Sequence, residues 1–129
     1  MNKEFVSLEI AKKLKRLGFT EPCFACYDNC GMLSTYSDIF NSKNYNRTET
    51  LMCSAPLHQQ VINWLYNEYK LIVGVETVSL NEWKGFVCVS TMALEDVVEI
   101  NETYPDEDRY KGMEQAINIA LDIEILALF

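Results

Sequence analysis

The fold is decided by residues 14–37, LKRLGFTEPCFACYDNCGMLSTYS. The first part of this stretch closes a helix. Ile10, Leu14 and Leu17 recur at helical spacing, with Leu8 and Ala11 beside them. Ser7 is placed to cap the start. Lys12, Lys13, Lys15 and Arg16 fall late, where cations complement the helix dipole. Gly18 followed by Phe19 has the form of a Schellman ending, in which a left-handed glycine lets the next apolar residue fold back. The pattern predicts a first helix over 5–19, and Pro22 stops it. Residues 23–28, CFACYD, are apolar and aromatic, as strands are. Asn29-Cys30-Gly31 reads as a turn and 32–37 as the returning strand. A helix feeding a β-hairpin is the founding unit.

Working outward, residues 38–52 carry Asn41, Ser42, Lys43, Asn44, Asn46, Arg47 and Thr48. They read as an exposed loop with room for one short extra strand, and loops of this length are often functional. A second helix is expected over 54–69, with Ser54 as its cap and Pro56 in its first turn. Its apolar stripe is Leu57, Val61, Trp64, Leu65 and Tyr69. Residues 71–78 and 86–91 read as strands joined through 79–85 as a second hairpin. Residues 95–108 form an acidic connector holding Glu95, Asp96, Glu99, Glu102, Asp106, Glu107 and Asp108. A third helix follows over 109–126, its face set by Met113, Ala116, Ile117, Ala120, Leu121 and Glu124, with Leu128 extending it. The order α-β-β-α-β-β-α predicts one α+β domain over 1–129: a four-stranded, mainly antiparallel sheet with helices packed on one face.

Composition narrows the function classes. With 129 residues and 49% hydrophobic content, the chain can build one core and bury about two-thirds of its unfolded surface. Eleven basic against 19 acidic residues give a net charge of -8. Such a surface repels phosphate backbones, which argues against nucleic acid and leaves room for a basic partner protein. No apolar stretch approaches the ~18 residues of a membrane span. The start, Met1-Asn2-Lys3-Glu4, lacks the apolar region of a secretory signal, so a cytoplasmic location is expected. The five cysteines, an odd number, then read as free thiols in a reducing compartment.

The sharpest chemical constellation is Cys23, Cys26 and Cys30, with Cys53 further on. Four thiolates could hold zinc tetrahedrally. The chain has only one CxxC, though, and Cys23 and Cys26 lie three apart in a strand, which points them to opposite faces. Buried apolar thiols are the simpler reading. A redox CxxC would sit at a helix N-terminus, and this one follows Pro22 into a strand. His58 is the single histidine. It is a formal general base, but at a helix start a surface or capping role is simpler. No Ser-His-Asp order, phosphate-cradling glycine loop or HExxH helix is present, so a non-enzymatic protein without cofactor is expected. The acidic run reads first as a solvated connector and second as a mimic of nucleic-acid charge. Of the aromatic residues Tyr27, Tyr36, Tyr45, Trp64, Tyr66, Tyr69, Trp83 and Tyr104, most fit the core and some could line an interaction face. The apolar tail Ile123, Ile125, Leu126, Ala127, Leu128 and Phe129 has more than one apolar face, from which a homodimer through the third helix is expected.

Residues 14–28, LKRLGFTEPCFACYD, together with 54–69, SAPLHQQVINWLYNEY, resemble a group of small uncharacterised proteins. These are carried by phages, prophages and mobile elements of gut anaerobic bacteria. The shared pattern is LGF closing a helix, EPC and an aromatic strand, APxxQQ opening a helix with Trp, and a final Ala-rich helix. It covers most of the chain except residues 38–52. The resemblance implies a phage or mobile-element origin in a host cytoplasm and brings no activity with it. It implies that Cys23 is regular in the pattern, whereas Cys26 and Cys30 depart from it.

The leading expectation is a phage or mobile-element accessory protein that acts by binding another protein, counter-defence included. One alternative is a small-ligand or nucleotide binder, or sponge, using a pocket between the sheet and the second helix near Tyr27, His58 and Gln59. The other is a zinc protein held by Cys23, Cys26, Cys30 and Cys53.

Overall fold

The computed structural model describes residues 2–35, 43–46, 51–90, 97–102, 106 and 108–128. The chain divides into two compact units, one of residues 1–57 with 124–129, the other of residues 58–123.

In the first unit a 3-10 turn, Asn2–Glu4, precedes helix α1, Leu8–Leu17. The Ser7 side chain accepts from the Ile10 N–H at 3.4 Å. Gly18 takes φ 88°, which a side chain would resist. Its N–H donates to the Lys15 carbonyl at 3.2 Å, and that of Phe19 to Leu14 at 3.0 Å. These two bonds are the Schellman pair expected at this end. Phe19 is sealed in the core with Ile10 and Leu14. The helix is shorter than 5–19, because Phe5 bridges Leu57 and the Val6 N–H donates to the Pro56 carbonyl.

Strands β1, Ala25–Tyr27, and β2, Leu33–Thr35, form the expected antiparallel hairpin, with Cys26 opposite Ser34. The Asp28 carboxylate accepts from the N–H groups of Cys30 and Met32 to hold the turn. On the other side of β1 lies β3, Cys53–Ser54, which sets Cys26 opposite Ser54. Ser54 is therefore not the cap of the second helix. Its hydroxyl accepts from the Tyr45 N–H and its own N–H donates to the Asn46 side chain, both at 2.8 Å. Pro56 likewise precedes the helix rather than sitting in its first turn. The open edge of β1 competes for this stretch and wins. Lys43 exchanges two backbone bonds with Cys23, so part of the segment read as a loop is tied to the body.

In the second unit, helix α2, His58–Tyr69, leads through Lys70 into β4, Leu71–Ser79. Leu80 and Asn81 then turn the chain into β5, Glu82–Ser90, so the connection is shorter than 79–85. Strand β6, Val97–Glu102, pairs antiparallel with β5. The acidic connector thus contains a strand. Helix α3, Arg109–Leu126, has the expected bounds, and the Asp108 carboxylate accepts from the Tyr110 N–H at its start.

The class is α+β, but the hairpins do not share one four-stranded sheet. Each belongs to its own three-stranded sheet, β2-β1-β3 and β4-β5-β6. The third strand of the second sheet comes from the segment read as an acidic connector, and that of the first from Cys53 and the residue read as the cap of the second helix. Leu71, Val73 and Val75 lie opposite Val89, Val87 and Gly85 on one face of the second sheet. Helix α3 reaches this face at a close backbone contact: a Cβ on Gly85 would stand 2.3 Å from the Gly112 carbonyl oxygen. Val61, Trp64 and Leu65 of α2, and Ala116, Ile117, Ala120 and Leu121 of α3, are buried with Val73 and Val87.

Candidate functional site

A cleft of about 490 Å³ lies between α2 and β4, open to solvent. Ile62, Asn63, Tyr66 and Asn67 line it from the helix, and Leu71, Ile72 and Val73 from the strand. The helical set consists of two i,i+4 pairs, Ile62 with Tyr66 and Asn63 with Asn67, so they share one flank of α2. The buried face of the helix, His58, Val61, Trp64 and Leu65, turns away from that flank. Lys70 closes the helix in a left-handed conformation, φ 58°, with its N–H on the Tyr66 carbonyl. Its ammonium lies 5.3 Å from the Tyr66 ring centroid and donates to the Asn67 carbonyl.

The strand wall is an edge. In the order β4-β5-β6, β4 pairs with β5 alone among the described residues. Side chains alternate along a strand, so Leu71 and Val73 face one side of the sheet and Ile72 the other. A cleft that touches all three runs along the edge of β4 rather than over one face. Its chemistry is an apolar floor, two carboxamides, a phenol, and edge backbone groups that require hydrogen bonds.

The site residues read from sequence fall elsewhere. Tyr27, in the first unit, donates its hydroxyl to the Val6 carbonyl at 2.6 Å. Gln59, exposed on α2, donates to the Asn63 side chain at 3.0 Å. His58 is not a surface cap: it is only 3% exposed. Its Nε2 lies 2.7 Å from Glu114 Oε1, and its ring sits 5.7 Å from that of Tyr110. With Nε2–H donating to the carboxylate, Nδ1 carries the lone pair and has no protein partner among the described residues. The pair ties the first turn of α2 to α3, with the imidazole buried and the Glu114 side chain 25% exposed.

The cysteines lie in the first unit, apart from Cys88. Cys23, Cys26 and Cys53 are buried and Cys30 is exposed. Cys23 donates its thiol to the Glu21 carbonyl and Cys53 donates to Leu51. Burial pushes the Cys26 thiol pKa up, with Asp28 adding to the rise and Lys43 opposing it. Among the described residues no group of three or more His, Cys, Asp or Glu side chains is placed to hold a metal ion. No helix among them is long and apolar enough to cross a membrane.

Sequence reasoning placed a pocket between the sheet and the second helix but missed its lining. The available signal was the polar Asn63/Asn67 pair bordering the apolar stripe of α2. What could not be read was that β4, rather than β5, would be the strand left at an edge. Searches against family models, curated proteins and solved structures return no match for this chain.

Proposed function

We propose that the chain is a non-enzymatic accessory protein of a phage or mobile element, acting in a host cytoplasm by binding another protein. The observation that carries this reading is the open cleft between α2 and the edge of β4. Pockets for small molecules enclose most of their ligand. A cleft that opens to solvent beside a strand edge suits a segment of a larger partner. Its carboxamides and phenol offer neutral hydrogen bonding without a charge that would select a metabolite. The net charge of -8 favours a basic partner through long-range attraction.

A photocrosslinking residue at Asn67, with one at the exposed Glu82 as control, tests the reading in cells that carry the gene. A discrete protein adduct from position 67 and none from position 82 is expected. Absence of any adduct from position 67, with a thermal shift produced by a metabolite or nucleotide panel, would replace this reading with the small-ligand one.

A further inference from the structure

We infer that the cleft takes an extended, positively charged segment of the partner, which adds as a further strand along the open edge of β4. This rests on the protein-binding reading above and says how the partner is held. Strand polarity decides which groups β4 presents. In an antiparallel ladder each residue directs its N–H and C=O to one side only, and the side alternates along the strand. The Trp83 N–H and C=O both bond to Asp106, at 2.7 and 2.8 Å. They therefore point away from β4, although Trp83 stands opposite Thr77. The alternation then assigns Lys84, Phe86 and Cys88 to the β4 ladder, opposite Glu76, Gly74 and Ile72. Among the described residues, Leu71, Val73 and Val75 are left with their N–H and C=O groups on the side of β4 where no strand pairs. Leu71 and Val73 are the two whose residues also line the cleft.

These groups repeat every two residues, about 6.8 Å apart. A second extended chain matches that repeat over several residues, and a compact ligand meets one step of it. The α2 wall is complementary to a strand as well. Ile62 with Tyr66, and Asn63 with Asn67, repeat at roughly one helical turn, about 5.4 Å. They offer successive contacts to the side chains that the added strand turns toward the helix. The cleft lining carries no charge of its own, and the excess of 19 acidic over 11 basic residues in the chain favours a positively charged occupant through long-range attraction.

The test uses the full chain and a displayed library of random dodecapeptides, followed by a fluorescein-labelled synthetic peptide of the dominant sequence. Enriched sequences are expected to alternate apolar residues and to carry net positive charge. N-methylation at residues of one parity should weaken binding at least ~10-fold, and at the other parity no more than ~2-fold, because only one parity donates to the edge. Asn63→Trp, at an exposed position, should fill the cleft wall and weaken binding by a similar factor without unfolding the chain. Equal tolerance of N-methylation at both parities, with Asn63→Trp still blocking, overturns strand addition and leaves the protein-binding reading intact. Undiminished binding to Asn63→Trp overturns the choice of cleft. Failure of any sequence to enrich overturns strand addition; the crosslink from Asn67 then decides the broader reading separately.

Discussion

Lys70 is the one non-glycine residue with a positive φ among the described residues. It ends α2 where glycine is the usual choice, and a side chain there costs about 1–2 kcal/mol. Lys70→Val should be less stable than Lys70→Gly by about 1–2 kcal/mol in urea unfolding. The ring and carbonyl contacts of the lysine temper the gain of the glycine variant over wild type. His58 carries a larger share of the stability. His58→Ala removes a buried ring and its bond to Glu114, and should cost about 2–4 kcal/mol. Glu124 titrates with the opposite sign to a salt-bridged carboxylate. Burial raises its pKa above the ordinary 4.5. The folded state then holds the proton more tightly than the unfolded state. That contribution is complete below about pH 4.5 and is lost as pH rises through the folded pKa. Glu124→Gln should therefore raise the melting temperature at pH 7, and the gap to wild type should close near pH 4. Of these three residues, only Glu124 was visible in sequence as a charge on an apolar helix face. The burial of His58 depended on where α3 came to lie.

Helix ends and hairpins are the elements that local chemistry settles. Ser7, Gly18 and Phe19 form bonds between near neighbours, so the caps of α1 followed from a few residues, although the helix itself is shorter than 5–19. The third strands of both sheets could not be read this way. Cys53–Ser54 is too short to show a strand pattern, and Val97–Glu102 is one-third acidic. Each is recruited by an existing strand edge, which is a long-range event. The contact of β5 with α3 is the most exacting joint. Gly85→Ala would drive a methyl group against the Gly112 carbonyl, and neither group is a flexible side-chain end that could yield. A loss of at least about 2–3 kcal/mol is expected in thermal or urea unfolding, against about 1 kcal/mol for Gly18→Ala.

Across the whole molecule, the cysteines and tryptophans report on different parts. Both tryptophans, Trp64 and Trp83, lie in the unit of residues 58–123. Cys23, Cys26 and Cys53 are buried in the other. Under native conditions Cys30 should react quickly with a thiol reagent while the other four stay protected. In rising urea, tryptophan fluorescence and the exposure of the protected thiols should give coincident transitions, as in a single cooperative domain of this size. Thiols released well before the fluorescence change would show two separately folding units. The sequence by itself determined the α+β class, the three helices, both hairpins and the acidic surface, because each rests on periodicity, capping or composition within a short stretch. Only the tertiary structure decided that the strands divide between two sheets and that β4 lies at an edge beside α2. It also buried His58 against Glu114. Each of these depends on which distant segment reaches an open edge or face first, and neither spacing nor propensity encodes that competition.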